Sequence, residues 1–232
     1  GGVHRSHRPL RVGDAAPDFK LPDARGDTVT LTGLRGEAPV VLVFYRGAWC
    51  PYCNLQLAAF QSALADIRAA GAALVAVSPQ TPDQSLTLAE RHALEFPVLS
   101  DVGNAVARDY GLVFRQSEAV TATSRGLGIE LADFNGDDSN TLPAASTFVI
   151  GEDGVIRFAS VSGDYRWRVG PDEVLAALLL LGLGLLGVEG GVVGLLEGAL
   201  SPAALAGLGG LLEGELRPEK IGDDHDDVVD GV

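Results

Sequence analysis

An unbroken β-branched and aromatic run, Val40-Val41-Leu42-Val43-Phe44-Tyr45, constrains this chain more than any other stretch. A strand that is apolar at every position has no polar face to give to solvent, so it belongs inside a sheet covered on both sides. Leu57, Phe60, Leu64 and Ile67 then recur at helical spacing until Gly71, which predicts a helix from about Pro51 to Ala70. Ala73 to Ser78 reads as a second buried strand, and the order strand, helix, strand implies a right-handed parallel crossover. The fold class is α/β.

The remaining segments extend that unit. Asp18 to Leu21 and Val29 to Leu31 read as an entry hairpin around a turn at Asp23 to Gly26. Downstream, a helix over Asp83 to Leu94, a short strand over Phe96 to Leu99 and a helix over Asn104 to Tyr110, closed by Gly111, repeat the alternation. Val113 to Leu142 is rich in Ser, Thr, Gly, Asp and Asn, and is expected to be an irregular insertion or a lid. Strands at Thr147 to Ile150 and Val155 to Val161 flank the hairpin turn Glu152-Asp153-Gly154, so the central sheet is mixed, with helices on its faces.

Pro171 opens a final helix with Asp172 and Glu173 in its first turn, where negative charge suits the helix dipole. Val174 to Val188 carries no charge but is interrupted by Gly182, Gly184 and Gly187. At ~1.5 Å per residue that stretch spans roughly 22 Å, short of a hydrocarbon core of about 30 Å, so a buried helix is expected rather than a membrane span. A homo-oligomer contact would have the same composition. The composition shifts near Leu181, which divides the chain into a main domain over 1–181 and a Gly/Leu-rich helical extension with an acidic tail over 182–232.

Charge excludes some functions. The chain of 232 residues has a formal net charge of −14, which disfavours nucleic acid and anionic membrane surfaces as partners. Gly1 to Asp14 carries His4, Arg5, His7 and Arg8 without an apolar run of signal-peptide length, so a cytoplasmic location is expected.

The chemistry gathers at Cys50-Pro51-Tyr52-Cys53, which holds both cysteines of the chain. This segment joins the buried strand to its helix, so Cys50 falls at the N-cap and Pro51 at the first helical position, where proline is tolerated. The unpaired amides of that turn and the positive end of the dipole favour a thiolate, in the range of about 3.5–7.5 for such motifs. Two thiols three positions apart on one turn also close a disulfide readily. Zinc would need two further ligands, and His4, His7, His92 and His225 show no ligand spacing around the pair, so neither a metal nor a cofactor is expected. Trp49 and Tyr52 read as aromatic walls beside the cysteines that shape substrate access. Trp167 reads as a rim aromatic among Tyr165, Arg166 and Arg168.

The segment from Phe44 through Arg46, Trp49, Cys50, Pro51, Tyr52 and Cys53 to Leu57 resembles the active-site segment of the peroxiredoxin-like proteins of the alkyl hydroperoxide reductase and thiol-specific antioxidant family, within the thioredoxin superfamily. The resemblance continues through Val12-Gly13-Asp14-Ala15-Ala16-Pro17-Asp18-Phe19, Ser78 to Thr81, Phe96 to Asp101 and Thr147 to Ile150, covering about 11–181. It implies a thioredoxin-like fold and an antioxidant thiol peroxidase. Aligned without gaps to the family pattern of Pro, three residues, Thr, two residues, Cys, this chain has Arg46 for the Pro, Cys50 for the Thr and Cys53 at the peroxidatic position. Aligned to the Trp-Cys-x-x-Cys of thioredoxins, Cys50 becomes the nucleophile and Cys53 the resolving thiol. Ala145 stands where many peroxiredoxins carry a peroxide-polarising Arg and thioredoxins a cis-Pro; Pro143 lies two residues earlier, and Arg46 is the candidate to supply the missing positive charge.

The expected function is a thiol-dependent oxidoreductase in which Cys50, the more exposed thiol at the helix lip, attacks a hydroperoxide or disulfide. Cys53 then resolves the product to an intramolecular disulfide, reset by a thioredoxin-like or low-molecular-weight thiol. Protein disulfide reduction is the alternative within that class. A non-enzymatic redox sensor, in which the disulfide changes the docking of the C-terminal extension, is the alternative outside it.

Overall fold

A computed structural model of the chain describes residues 8–36 and 38–184. The extension expected at 182–232 therefore lies, apart from its first three residues, outside the described residues, as do its acidic tail and self-association surface.

The central sheet has five strands in the order β5-β4-β3-β8-β9: β3 is Val40–Phe44, β4 Ala73–Ser78, β5 Val98–Ser100, β8 Ala145–Ile150 and β9 Ile156–Ser162. β3 pairs in parallel with β4, which pairs in parallel with β5, while β8 runs antiparallel to β3 and β9 antiparallel to β8. The mixed sheet and the central, doubly covered β3 are as its sequence requires. Successive side chains of a strand point to opposite faces. Val41, Val43 and Tyr45 accordingly enter one core with Cys50, Cys53, Leu57 and Phe60, while Val40, Leu42 and Phe44 enter the other with Tyr110 and Phe148.

The first core is closed by the helix after β3. The expected single helix is two, α2 (Pro51–Ser62) and α3 (Leu64–Ala69), parted at Ala63. The Ser62 hydroxyl donates back to the Ala58 carbonyl at 3.1 Å, a bond that competes with the backbone ladder and bends helices at such positions. α8 (Pro171–Gly182) packs on the same face through Val174, Ala177 and Leu178. The second core holds an aromatic trio, with ring centroids 5.1 Å apart for Phe44 and Tyr110, 5.4 Å for Tyr110 and Phe148 and 6.2 Å for Phe44 and Phe148. α4 (Pro82–Arg91) and α5 (Ala105–Asp109) follow β4 and β5.

The entry hairpin, β1 (Lys20–Pro22) with β2 (Thr28–Thr30), forms a separate two-stranded sheet. Leu31 does not extend it. Leu31 instead begins α1 (Leu31–Arg35), because Thr30 caps that helix by accepting from the Gly33 amide. The expected irregular insertion at 113–142 is also more ordered than its composition suggests. It contains β6 (Val113–Arg115) paired antiparallel with β7 (Thr141–Pro143), and between them α6 (Glu118–Gly126) and α7 (Leu131–Asn135). Ser117 caps α6 by accepting from the Val120 amide, and Gly136 ends α7 in the left-handed region. Among the described residues no helix is long and apolar enough to cross a membrane.

Candidate active site

The dithiol sits where β3 hands the chain to α2. Cys50 is the N-cap residue of α2, with extended backbone angles, and Pro51 follows at the first helical position, as the spacing predicts. Gly47, with φ of 149°, lets the connecting loop fold under Trp49: a side chain there would strike the indole. The loop is tied down on both sides. The Ala48 amide donates to Gln80 Oε1 at 2.6 Å, and Asn54 Nδ2 donates to the Ala48 carbonyl at 3.0 Å.

Both thiols are buried, Cys50 2% exposed and Cys53 0%, so Cys50 is the more exposed of the two by too small a margin to decide access. Arg168 lies against both sulfurs. Charge separates them instead. The Cys50 thiol is pulled down to about 6, first by the hydrogen bond from the Cys53 thiol, then by the Cys53 amide and by Arg168 and Arg46, against the cost of burial. Cys53 is pushed well above the ordinary thiol range, first by burial and then by the neighbouring Cys50 sulfur.

Arg46 is 8% exposed and is not a solvated loop residue. Its guanidinium lies between two rings, 4.9 Å from the Trp49 centroid and 4.6 Å from that of Tyr165, and its backbone N–H donates to Cys53 Sγ at 3.4 Å. Tyr52 is partly exposed and meets Tyr165 edge-on at 5.7 Å. Thus Arg46 stacks on Trp49 beside the dithiol, while the Tyr52 ring stands at the surface against Tyr165.

Arg168 is what sequence reasoning misplaces. Rather than standing on a rim, it turns inward, and its Nη2 donates to Cys53 Sγ at 3.3 Å and to Cys50 Sγ at 3.8 Å. Its Nε donates to the Tyr165 carbonyl at 2.8 Å and its Nη1 to Gln56 Oε1 at 2.9 Å. Sheet register explains the approach. Ala145, at the start of β8, pairs with Ser162, the last residue of β9, so the chain leaves β9 beside the position where a family Arg would stand. Pro143 does not fill the place of a cis-Pro: it is trans and pairs with Val113 in the small sheet. The signal in the sequence was the cationic and aromatic cluster Tyr165-Arg166-Trp167-Arg168, but its direction depends on the strand pairing.

A thiolate at a helix N-terminus, flanked by two arginines and a second thiol on one buried turn, defines a thiol oxidoreductase of thioredoxin-like fold. The AhpC/TSA family model matches residues 12–159. A peroxiredoxin homologue of Mycobacterium tuberculosis is 34% identical over 147 residues, covering 63% of this chain and 82% of its own length. Peroxiredoxin Bcp of Escherichia coli is 34% identical over 104 residues, covering 45% of this chain and 66% of its own. Among solved structures, the peroxidoxin BcpB from Mycobacterium tuberculosis superposes with a TM-score of 0.60 at 25% identity, covering 74% of this chain and 98% of that one. The chain belongs to the AhpC/TSA family of peroxiredoxins and is a thiol peroxidase. Enzymes of this kind act on hydroperoxides and are reduced by thiol partners of the thioredoxin type.

Proposed function

We propose that the chain reduces hydroperoxides through a Cys50/Cys53 dithiol-disulfide cycle in which Cys50 is the nucleophile. The observation that carries this reading is the placement of Cys50 at the N-cap of α2 with the Arg168 guanidinium against both sulfurs, a setting that lowers the Cys50 thiol while burial raises Cys53. The Cys50 thiolate attacks one peroxide oxygen and the O–O bond breaks. The Cys53 proton goes to the departing alkoxide, which leaves as an alcohol, and Cys50 is left as a sulfenic acid. The Cys53 thiolate then attacks the Cys50 sulfur, the S–O bond breaks, water leaves after taking a proton from solvent, and the disulfide forms. An external dithiol returns both electrons and both protons.

Arg168 and Arg46 act on the charge that develops at the breaking bond, in a site from which water is excluded. In this reading Arg168 takes the part that a family Arg at Ala145 would otherwise play. Trp49 and Tyr52 bound the approach to the sulfurs. A reducing compartment such as the cytoplasm suits a cycle whose resting form is the dithiol, and the domain over 1–181 is the catalytic body.

A second reading makes Cys53 the nucleophile. It is favoured by the two hydrogen bonds aimed at Cys53 Sγ, from the Arg46 amide and from Arg168, and by the family register. Single-turnover peroxide consumption by Cys50→Ser and Cys53→Ser separates the two. The proposal expects Cys53→Ser to consume one equivalent and stop at the sulfenic acid, while Cys50→Ser loses the fast phase. The reverse pattern assigns attack to Cys53.

A further inference from the structure

We infer that Arg46 is a carboxylate-binding residue, so that the substrates this site favours are small hydroperoxides carrying an acid group close to the O–O bond. The inference rests on the reading above in that the chain turns over hydroperoxides at the dithiol. Arg46 is buried, yet among the described residues none of its side-chain nitrogens donates a hydrogen bond and no carboxylate pairs with it.

The guanidinium is held by its charge, over the rings of Trp49 at 4.9 Å and Tyr165 at 4.6 Å. Such contacts leave its N–H groups, which lie in the plane of the group, unspent. Arg168 is the contrast: its donors go to the Tyr165 carbonyl, to Gln56 and to the two sulfurs. The indole Nε1 of Trp49, beside Arg46, is likewise buried without an acceptor. Buried donors kept from water and from every acceptor weigh against the fold, which marks a place where the acceptor arrives with a ligand.

Charge points the same way. Arg46 and Arg168 both act on the sulfurs, of which the cycle ionises one, so one positive charge is left over. Neighbouring Arg166 adds nothing to it, because Asp164 pairs with it at 2.7 Å. The surplus is local, standing in a chain whose net charge is −14. A neutral hydroperoxide has no group that uses it, whereas the two oxygens of a carboxylate match the fork of a guanidinium. Because the Arg46 backbone N–H already donates to Cys53 Sγ at 3.4 Å, the acid group must lie only a few bonds from the O–O. The Tyr165 ring that contacts Arg46 is itself partly exposed and meets Tyr52 edge-on, an aromatic wall for the apolar body of such a substrate.

The test compares tert-butyl hydroperoxide, its analogue with carboxymethyl in place of one methyl, and the methyl ester of that analogue, by stopped-flow with the reduced full chain. The acid is expected to react about 10- to 100-fold faster, as kcat/KM, than its ester, which has nearly the same shape without the charge. Arg46→Met is expected to bring that ratio close to one. Arg46→Lys, which keeps the charge but not the fork, is expected to keep only part of it and serves if Arg46→Met does not fold. The ratio is read rather than the absolute rate, because Arg46 also acts at the breaking bond. Equal rates for acid and ester in the wild-type chain overturn the inference, as does a ratio that survives undiminished in either variant. Consumption of none of the hydroperoxides instead overturns the reading on which the inference rests.

Discussion

At the scale of single residues, the site is a contest between burial and fixed charge. Burial raises a thiol, and both sulfurs are buried, yet the donors and arginines around them are arranged so that the cost falls on Cys53 and the benefit on Cys50. A thiolate at Cys50 beside a protonated Cys53 is the state the proposed cycle needs. The sign of the pH dependence follows. A thiol lowered to about 6 is mostly thiolate above that value and mostly protonated below it, so kcat/KM for peroxide should rise roughly tenfold per unit up to about pH 6 and then level off. Arg168→Met should move that inflection upward and lower the plateau by about 10- to 100-fold. Stopped-flow peroxide consumption across a pH series checks both, and an inflection near the ordinary thiol value of about 8.5 would contradict them.

At the scale of elements, the site is made by a loop, a helix start and a strand exit brought together by the sheet. The loop and helix start were legible because their signals are local: an apolar run, a proline at the first helical position and two cysteines three apart. The strand exit was not. Arg168 reaches the sulfurs because Ala145 pairs with Ser162, a non-local fact that no pattern within 163–170 encodes. The same reasoning explains α1 and α6, whose caps Thr30 and Ser117 were readable in principle but were outweighed by a strand-like triplet and a loop-like composition. A further element is held from outside itself. α5 begins at Asn104 in the left-handed region without a side-chain cap, and Asp101 supplies the cap by accepting from the Val106 and Ala107 amides at 3.1 and 2.9 Å. Asp101→Ala strands two buried amides and should cost about 2 kcal/mol. Thermal denaturation should then show a melting temperature lower by roughly 4–8 °C; an unchanged value would remove Asp101 from that role.

At the scale of the whole molecule, one sheet divides the work between its faces. The face of Phe44, Tyr110 and Phe148 is closed by aromatic packing, whereas the face of Val43 and Tyr45 carries the two cysteines within its core. The alternation of β3 assigns consecutive residues to these two tasks, so the strand that most constrains the fold also anchors the loop that carries the chemistry. This division was readable from the two-residue period and the unbroken apolar composition of β3. The proposed cycle makes the two cysteines one catalytic unit within one chain. It is tested by mass spectrometry of the reduced protein after one equivalent of hydroperoxide. Both free thiols should be lost together, with Cys50 and Cys53 joined in one disulfide-containing peptide and no crosslink between chains. Free thiols persisting at both positions, or a disulfide joining two chains, would contradict it.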